Sequence, residues 1–113
     1  MASTLSPKVY EATSAQRTSL HMAAVFACNF TNHMYALSAR LLKKNGLPFD
    51  AMLPLIDETA RKVHALCPAE AQTGPAVRKD RNVMDKHLAM LNDEPCLREL
   101  YEKISESIIN SNS

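Results

Sequence analysis

The stretch that decides the fold is Leu20-His21-Met22-Ala23-Ala24-Val25-Phe26-Ala27-Cys28-Asn29-Phe30, continuing through Thr31-Asn32-His33-Met34-Tyr35-Ala36-Leu37 to Lys43-Lys44. It contains no glycine or proline and never alternates with period two, so it reads as helix. Thr13, with Gln16 three residues on, has the form of a capping box at its start. Lys43 and Lys44 put cations in the last turn, and Gly46 is placed to terminate it. The helix is thus about thirty residues, near 45 Å long, more than a domain of this size ordinarily needs. Between Leu20 and Leu42 it has no acid, and its only bases are His21, His33 and Arg40. Leu20, Met22, Val25, Phe26, Phe30, Met34, Leu37 and Leu41 point in nearly every direction. A helix apolar all round is buried on most sides, and three shorter helices cannot wrap it. A second surface is expected to cover the rest.

Working outward, residues 1–12 read as an arm or interdomain linker, 13–110 as a helical domain and 111–113 as a tail that frays. A second helix is expected over about Phe49–Leu66, with Pro54 starting its regular part or kinking it. Cys67-Pro68 ends it. A linker from Ala69 to Thr73 leads to Gly74-Pro75, where Pro75 suits a first helical position. The third helical stretch, with a break near Asp80–Asn82, runs to Leu91. Asp93 can cap the last helix, which ends near Ile109. The fold class is therefore all-α: one long N-terminal helix followed by three to four shorter ones.

Composition narrows the function. The 113 residues are 46% hydrophobic with a net charge of +1, acids and bases being mixed along the chain. That leaves no basic footprint for nucleic acid and no polybasic patch for a membrane. No signal peptide or membrane-length apolar run is present. Cys28, Cys67 and Cys96 are odd in number and lack C-x-x-C spacing, which fits reduced thiols in the cytoplasm. No metal is expected, since the histidines and cysteines show neither H-x-x-x-H nor C-x-x-C spacing.

Two groups of polar residues stand out. At about 100° per residue, His21, Cys28 and Asn32 share a stripe of the long helix, with Asn29 and His33 beside it. They read either as interface polar groups bonded to one another and to backbone or as the lining of a ligand cleft. The second group is Gln72-Thr73-Gly74-Pro75-Ala76-Val77-Arg78. Gly74 permits close backbone approach, Thr73 offers a hydroxyl, and Arg78 carries a fixed positive fork. These suit a phosphate or carboxylate, or else an ordinary helix start with Arg78 paired to Asp80 or Glu70.

From about Leu20 to Ile109 the chain resembles the C-terminal domain, of unknown function, of Rossmann-like proteins related to deazaflavin-dependent NADP oxidoreductases. The resemblance is carried by His21–Phe30, Asn32–Leu37, Gly46-Leu47-Pro48-Phe49, Leu53-Pro54-Leu55-Ile56, Glu58-Thr59-Ala60 and His87-Leu88. Its most specific piece is Gln72-Thr73-Gly74-Pro75-Ala76 followed by Arg78-Lys79-Asp80. It implies a fold like the C-terminal domain of 6-phosphogluconate dehydrogenase, in which a long helix pairs with its copy and faces the cofactor domain. It implies NADP in the full-length protein. The nucleotide-binding half is not in this sequence: no strand with a G-x-G-x-x-G turn occurs, and the two glycines, Gly46 and Gly74, are too few for one. The chain thus reads as a domain fragment that binds no cofactor by itself. Related hydroxyacid dehydrogenases place a catalytic lysine on the corresponding helix; no lysine lies between Val9 and Lys43 here, so that role does not carry over and the catalytic residues stay unassigned.

The expected function is the dimerisation and substrate-cleft half of an NADP-dependent oxidoreductase, inactive without its Rossmann domain. His21, Asn29, Asn32, His33, Gln72, Thr73, Gly74 and Arg78 are the cleft candidates. The expected partners are a second copy, through the long helix, and the Rossmann domain. The alternative is a non-enzymatic helical dimer module of a nucleotide-binding sensor or regulatory protein.

Overall fold

The structure is a computed structural model, and it describes residues 13–111. Among these residues every regular element is helical. The arm read over residues 1–12 lies outside the described residues, as do residues 112 and 113.

The long helix, α1, runs in three consecutive segments: Ser14–Ala24, Val25–Phe30 and Thr31–Lys44. Its start is the capping box seen in the sequence. The Gln16 N–H donates to Thr13 Oγ1 at 3.1 Å, and the Thr13 N–H donates back to Gln16 Oε1 at 2.9 Å, so two of the donors orphaned at a helix start are satisfied. Its end is closed by Gly46, at φ 71. The Leu47 N–H reaches back to the Leu42 carbonyl and the Gly46 N–H to the Lys43 carbonyl, the paired bonds of a Schellman motif.

Periodicity alone did not reveal the middle segment. Val25–Phe30 is π-helical, a wider winding in which backbone bonds skip five residues instead of four. The Thr31 hydroxyl donates to the Phe26 carbonyl, five residues back, at 3.3 Å.

Phe49–Met52 forms a 3-10 turn leading into α2, Leu53–Ala65. Pro54 therefore starts the regular helix, where its absent N–H costs no bond. Phe49 packs against Tyr35 of α1, ring centroids 6.4 Å apart.

Beyond α2 the structure departs from the sequence reading in three places. The expected linker over Ala69–Thr73 is partly a short helix, α3, Pro68–Ala71, started by Pro68 in a first-turn position. Pro75 does not open a regular helix. It begins a single turn that ends at Lys79, whose φ is 54. The Asp80 N–H donates to the Pro75 carbonyl and the Lys79 N–H to the Ala76 carbonyl, a second Schellman closure with lysine where glycine is usual. Asp80 then caps α4, Arg81–Met90, through Oδ1 to the Val83 N–H at 3.3 Å. Lastly, α5 spans Pro95–Ser111, two residues past the expected end near Ile109 and into the tail expected to fray.

The chain divides into two compact units, Met1–Pro54 and Leu55–Ser113. Among the described residues the buried apolar ones are Ala76, Met84, Leu88, Leu91 and Leu97, all in the second unit. Met84 and Leu88 sit one turn apart on α4 and share its inner face. In the first unit no described residue is buried. Leu20, Met22, Phe26 and Phe30 of α1 are each between 48% and 64% exposed.

Candidate functional site

The first group of candidates is built on α1. His21, Asn29, Asn32 and His33 are all exposed, which for histidine and asparagine on an otherwise apolar helix leaves polar atoms open to a ligand or partner. The π segment changes how they line up. An α-helix advances about 40° past a full turn in four residues, and a π winding takes nearly one more residue per turn. Asn29 therefore stands more nearly in line with His33, and Cys28 with Asn32. His21 is rotated off the Cys28–Asn32 line towards that of Asn29 and His33.

The second group lies in the other unit. Gln72, Thr73 and Arg78 are exposed and Gly74 is half-buried. The Gln72 side-chain amide donates to the Thr73 carbonyl at 3.0 Å. Gly74 has φ 106, and a Cβ built there would meet no atom within 4 Å. The backbone conformation, not crowding, is what favours glycine at this point. A helix starting at Pro75 would set free N–H groups beside Arg78. Here the regular helix begins at Arg81, and Asp80 puts its own carboxylate on that helix start. Of the groups that the sequence offered for an anion here, Thr73 and Arg78 remain exposed and the N–H groups at the start of α4 are answered by Asp80.

A third arrangement is not legible in the sequence. His87 Nδ1 and the Tyr101 hydroxyl are 2.8 Å apart, with the rings edge to face at 5.7 Å. The pair is fourteen residues apart and lies on two different helices, so no single helix's periodicity connects it. Burial raises the Tyr101 pKa above its ordinary value, an effect opposed by the nearby Arg81 charge. Tyr101, Arg81, Met84, Ser105 and Glu106 are among the residues lining a shallow hollow of about 90 Å³. That is well short of the few hundred Å³ that hold a small-molecule ligand. Elsewhere, Arg61 hydrogen-bonds Glu58 at 2.6 Å on exposed α2 and lowers its pKa. Cys67 donates to Glu70 Oε1 at 3.1 Å, and all three cysteines are exposed thiols. Among the described residues no cluster of histidine, cysteine and carboxylate side chains is arranged to hold a metal, and no helix is long and apolar enough to cross a membrane.

Comparison with known proteins bears on these groups. A family model described as "Domain of unknown function (DUF2520)" matches residues 1–108. Among solved structures, the chain is similar to a Bacteroides fragilis protein named "putative NADP oxidoreductase", with 68% identity and a TM-score of 0.87. The similarity covers 90% of this chain and 39% of that one. No curated protein matches.

Proposed function

The chain belongs to the DUF2520 family, and on that premise we propose that it is the dimerisation and substrate-cleft half of a cytoplasmic NADP-dependent oxidoreductase. The observation that carries the reading is the likeness to the B. fragilis protein, of which this chain spans 39%. The remainder of such a protein would supply the nucleotide-binding domain and with it the hydride chemistry of NADP. This half contributes the walls of the cleft. Arg78 and Thr73 suit the phosphate or carboxylate of a substrate. His33 and Asn29 suit hydroxyl and carbonyl groups, and His21 completes the α1 face. The second role is self-association through α1, whose exposed Leu20, Met22, Phe26 and Phe30 form an apolar surface of the kind that marks interfaces. Two-fold pairing of a helix on its own copy is the commonest way to cover one. The odd, exposed thiols fit a reducing compartment.

The test has two arms. The 113-residue chain alone binds no NADP(H) by calorimetry. In the protein that also carries the nucleotide-binding domain, NADPH is bound and turned over, and His33→Ala or Arg78→Ala abolishes turnover while leaving cofactor affinity intact. Micromolar binding of NADPH to the chain alone, or full activity in both variants, would overturn the reading.

A further inference from the structure

We propose that the π segment Val25–Phe30 is a register device: it straightens one apolar line of α1 into the seam on which a second copy docks. The inference rests on the self-association proposed above and adds the residues and the geometry that make it work.

Met22, Phe26, Phe30 and Met34 recur at steps of four. In a regular α-helix such a line slides round the rod by about 40° per step, so Met34 would face a different side from Met22. Only a supercoil or a three-four spacing keeps an ordinary apolar seam aimed at a partner. The π winding between Val25 and Phe30 takes up the extra residue and cancels most of that drift. The four side chains then stand one above another. The contact of Phe26 with Phe30, edge to face at 4.9 Å, is what two rings on one line produce. The Thr31 hydroxyl on the Phe26 carbonyl spans the same five-residue interval as a π bond.

The occupant is a second copy of this chain. Leu20, Met22, Phe26 and Phe30 are about half exposed or more, so two copies crossing on this line would cover on the order of 1,000 Å², the lower edge for a specific interface. The line carries no charge from Leu20 to Ala39, so a helix can lie on its own copy without like charges meeting. Ala23 and Ala27 beside it leave room for the rods to approach.

The experiment is a cysteine scan. In a background with Cys28→Ser, Cys67→Ser and Cys96→Ser, single cysteines are placed at Met22, Phe26, Phe30 and Met34, and separately at Asn29 and His33. Sedimentation gives the association state, and mild oxidation with gel analysis gives the cross-linked yield. The straightened seam yields cross-links at all four of the first set and few at the second. A regular α-helical seam would move to three-four spacing, so that Asn29→Cys and His33→Cys cross-link while Phe30→Cys and Met34→Cys do not. That pattern in a dimer overturns the register device and leaves the dimer standing. A monomer at micromolar concentration overturns both.

Discussion

The two units of this chain handle apolar surface in opposite ways. The second closes on itself: Met84, 2% exposed, and Leu88, Leu91, Leu97 and Ala76 form a small core among short helices. The first consists mainly of a rod with no buried described residue, although its side chains are as apolar as those of the core. A core of five residues sets the stability of its own unit. The exposed row of phenylalanine and methionine on α1 adds nothing to that core and is the surface that the proposed second copy would cover. The same chemistry, hydrophobic burial, thus closes the second unit, while the α1 row of the first stays exposed, where the proposed self-association would cover it.

The largest effects should separate these two uses. Leu88→Ala or Met84→Ala empties the core and should cost about 2–5 kcal/mol in denaturant unfolding. Phe26→Ala should leave the unfolding of dilute, monomeric protein within about 1 kcal/mol of the parent, yet weaken self-association by 2 kcal/mol or more, roughly thirtyfold, if Phe26 is an interface anchor. Equal destabilisation of the monomer by Phe26→Ala and Leu88→Ala would erase the distinction between the units.

The two Schellman closures sharpen the comparison, since each unit has one. Gly46→Ala, at φ 71 with open space around it, should cost about 1–2 kcal/mol from left-handed backbone strain alone. Lys79→Gly removes the same strain at φ 54 but loosens the unfolded chain, so a net gain of about 0.5 kcal/mol is expected. Thermal melts measure both. A loss of stability in Lys79→Gly would mean that the lysine side chain does more than tolerate its conformation. Thr13→Ala should cost about 1 kcal/mol of helix start, seen as fraying of α1 by hydrogen exchange.

The smallest effect is a pH dependence confined to the second unit. Burial raises the Tyr101 pKa above its ordinary 10.0, so the folded chain favours the neutral phenol. The associated stability is fully present below pH 10.0 and is lost as pH climbs through the higher folded-state value. Tyr101→Phe should flatten that alkaline decline, read as the urea midpoint against pH. An unchanged decline would assign it to other groups.

Much of this architecture could be read from residues with local rules. Thr13 with Gln16, Gly46 after Lys44, and Pro54 at a helix start each act through the backbone a few positions away, and each appears in the structure as its chemistry requires. What escaped the sequence depended on backbone pairing or on distance. No side-chain pattern distinguishes a π winding from an α winding through Val25–Phe30, because only the carbonyl partners differ. The turn from Pro75 to Lys79 looked like a helix start because Gly74-Pro75 resembles one, and lysine in a left-handed position is a poor advertisement for a stop. Of the candidate site, His21, Asn29, Asn32, His33, Thr73 and Arg78 are exposed, a burial state that the residue types alone did not fix. The His87–Tyr101 pair was invisible, since α4 and α5 bring it together only through packing.

Asp80 leaves the chain no slack. Its N–H finishes the turn that begins at Pro75, its carboxylate starts α4, and its carbonyl accepts the Met84 N–H. One residue therefore does the work that a linker of several usually does. For anyone splicing this domain, the point between Arg78 and Asn82 is the worst place for a tag, a cleavage sequence or a permuted terminus, because one added residue separates a stop from a start that share the same atoms. The stretch from Asn45 to Pro48, exposed throughout and already ended by its own glycine, is the better cut.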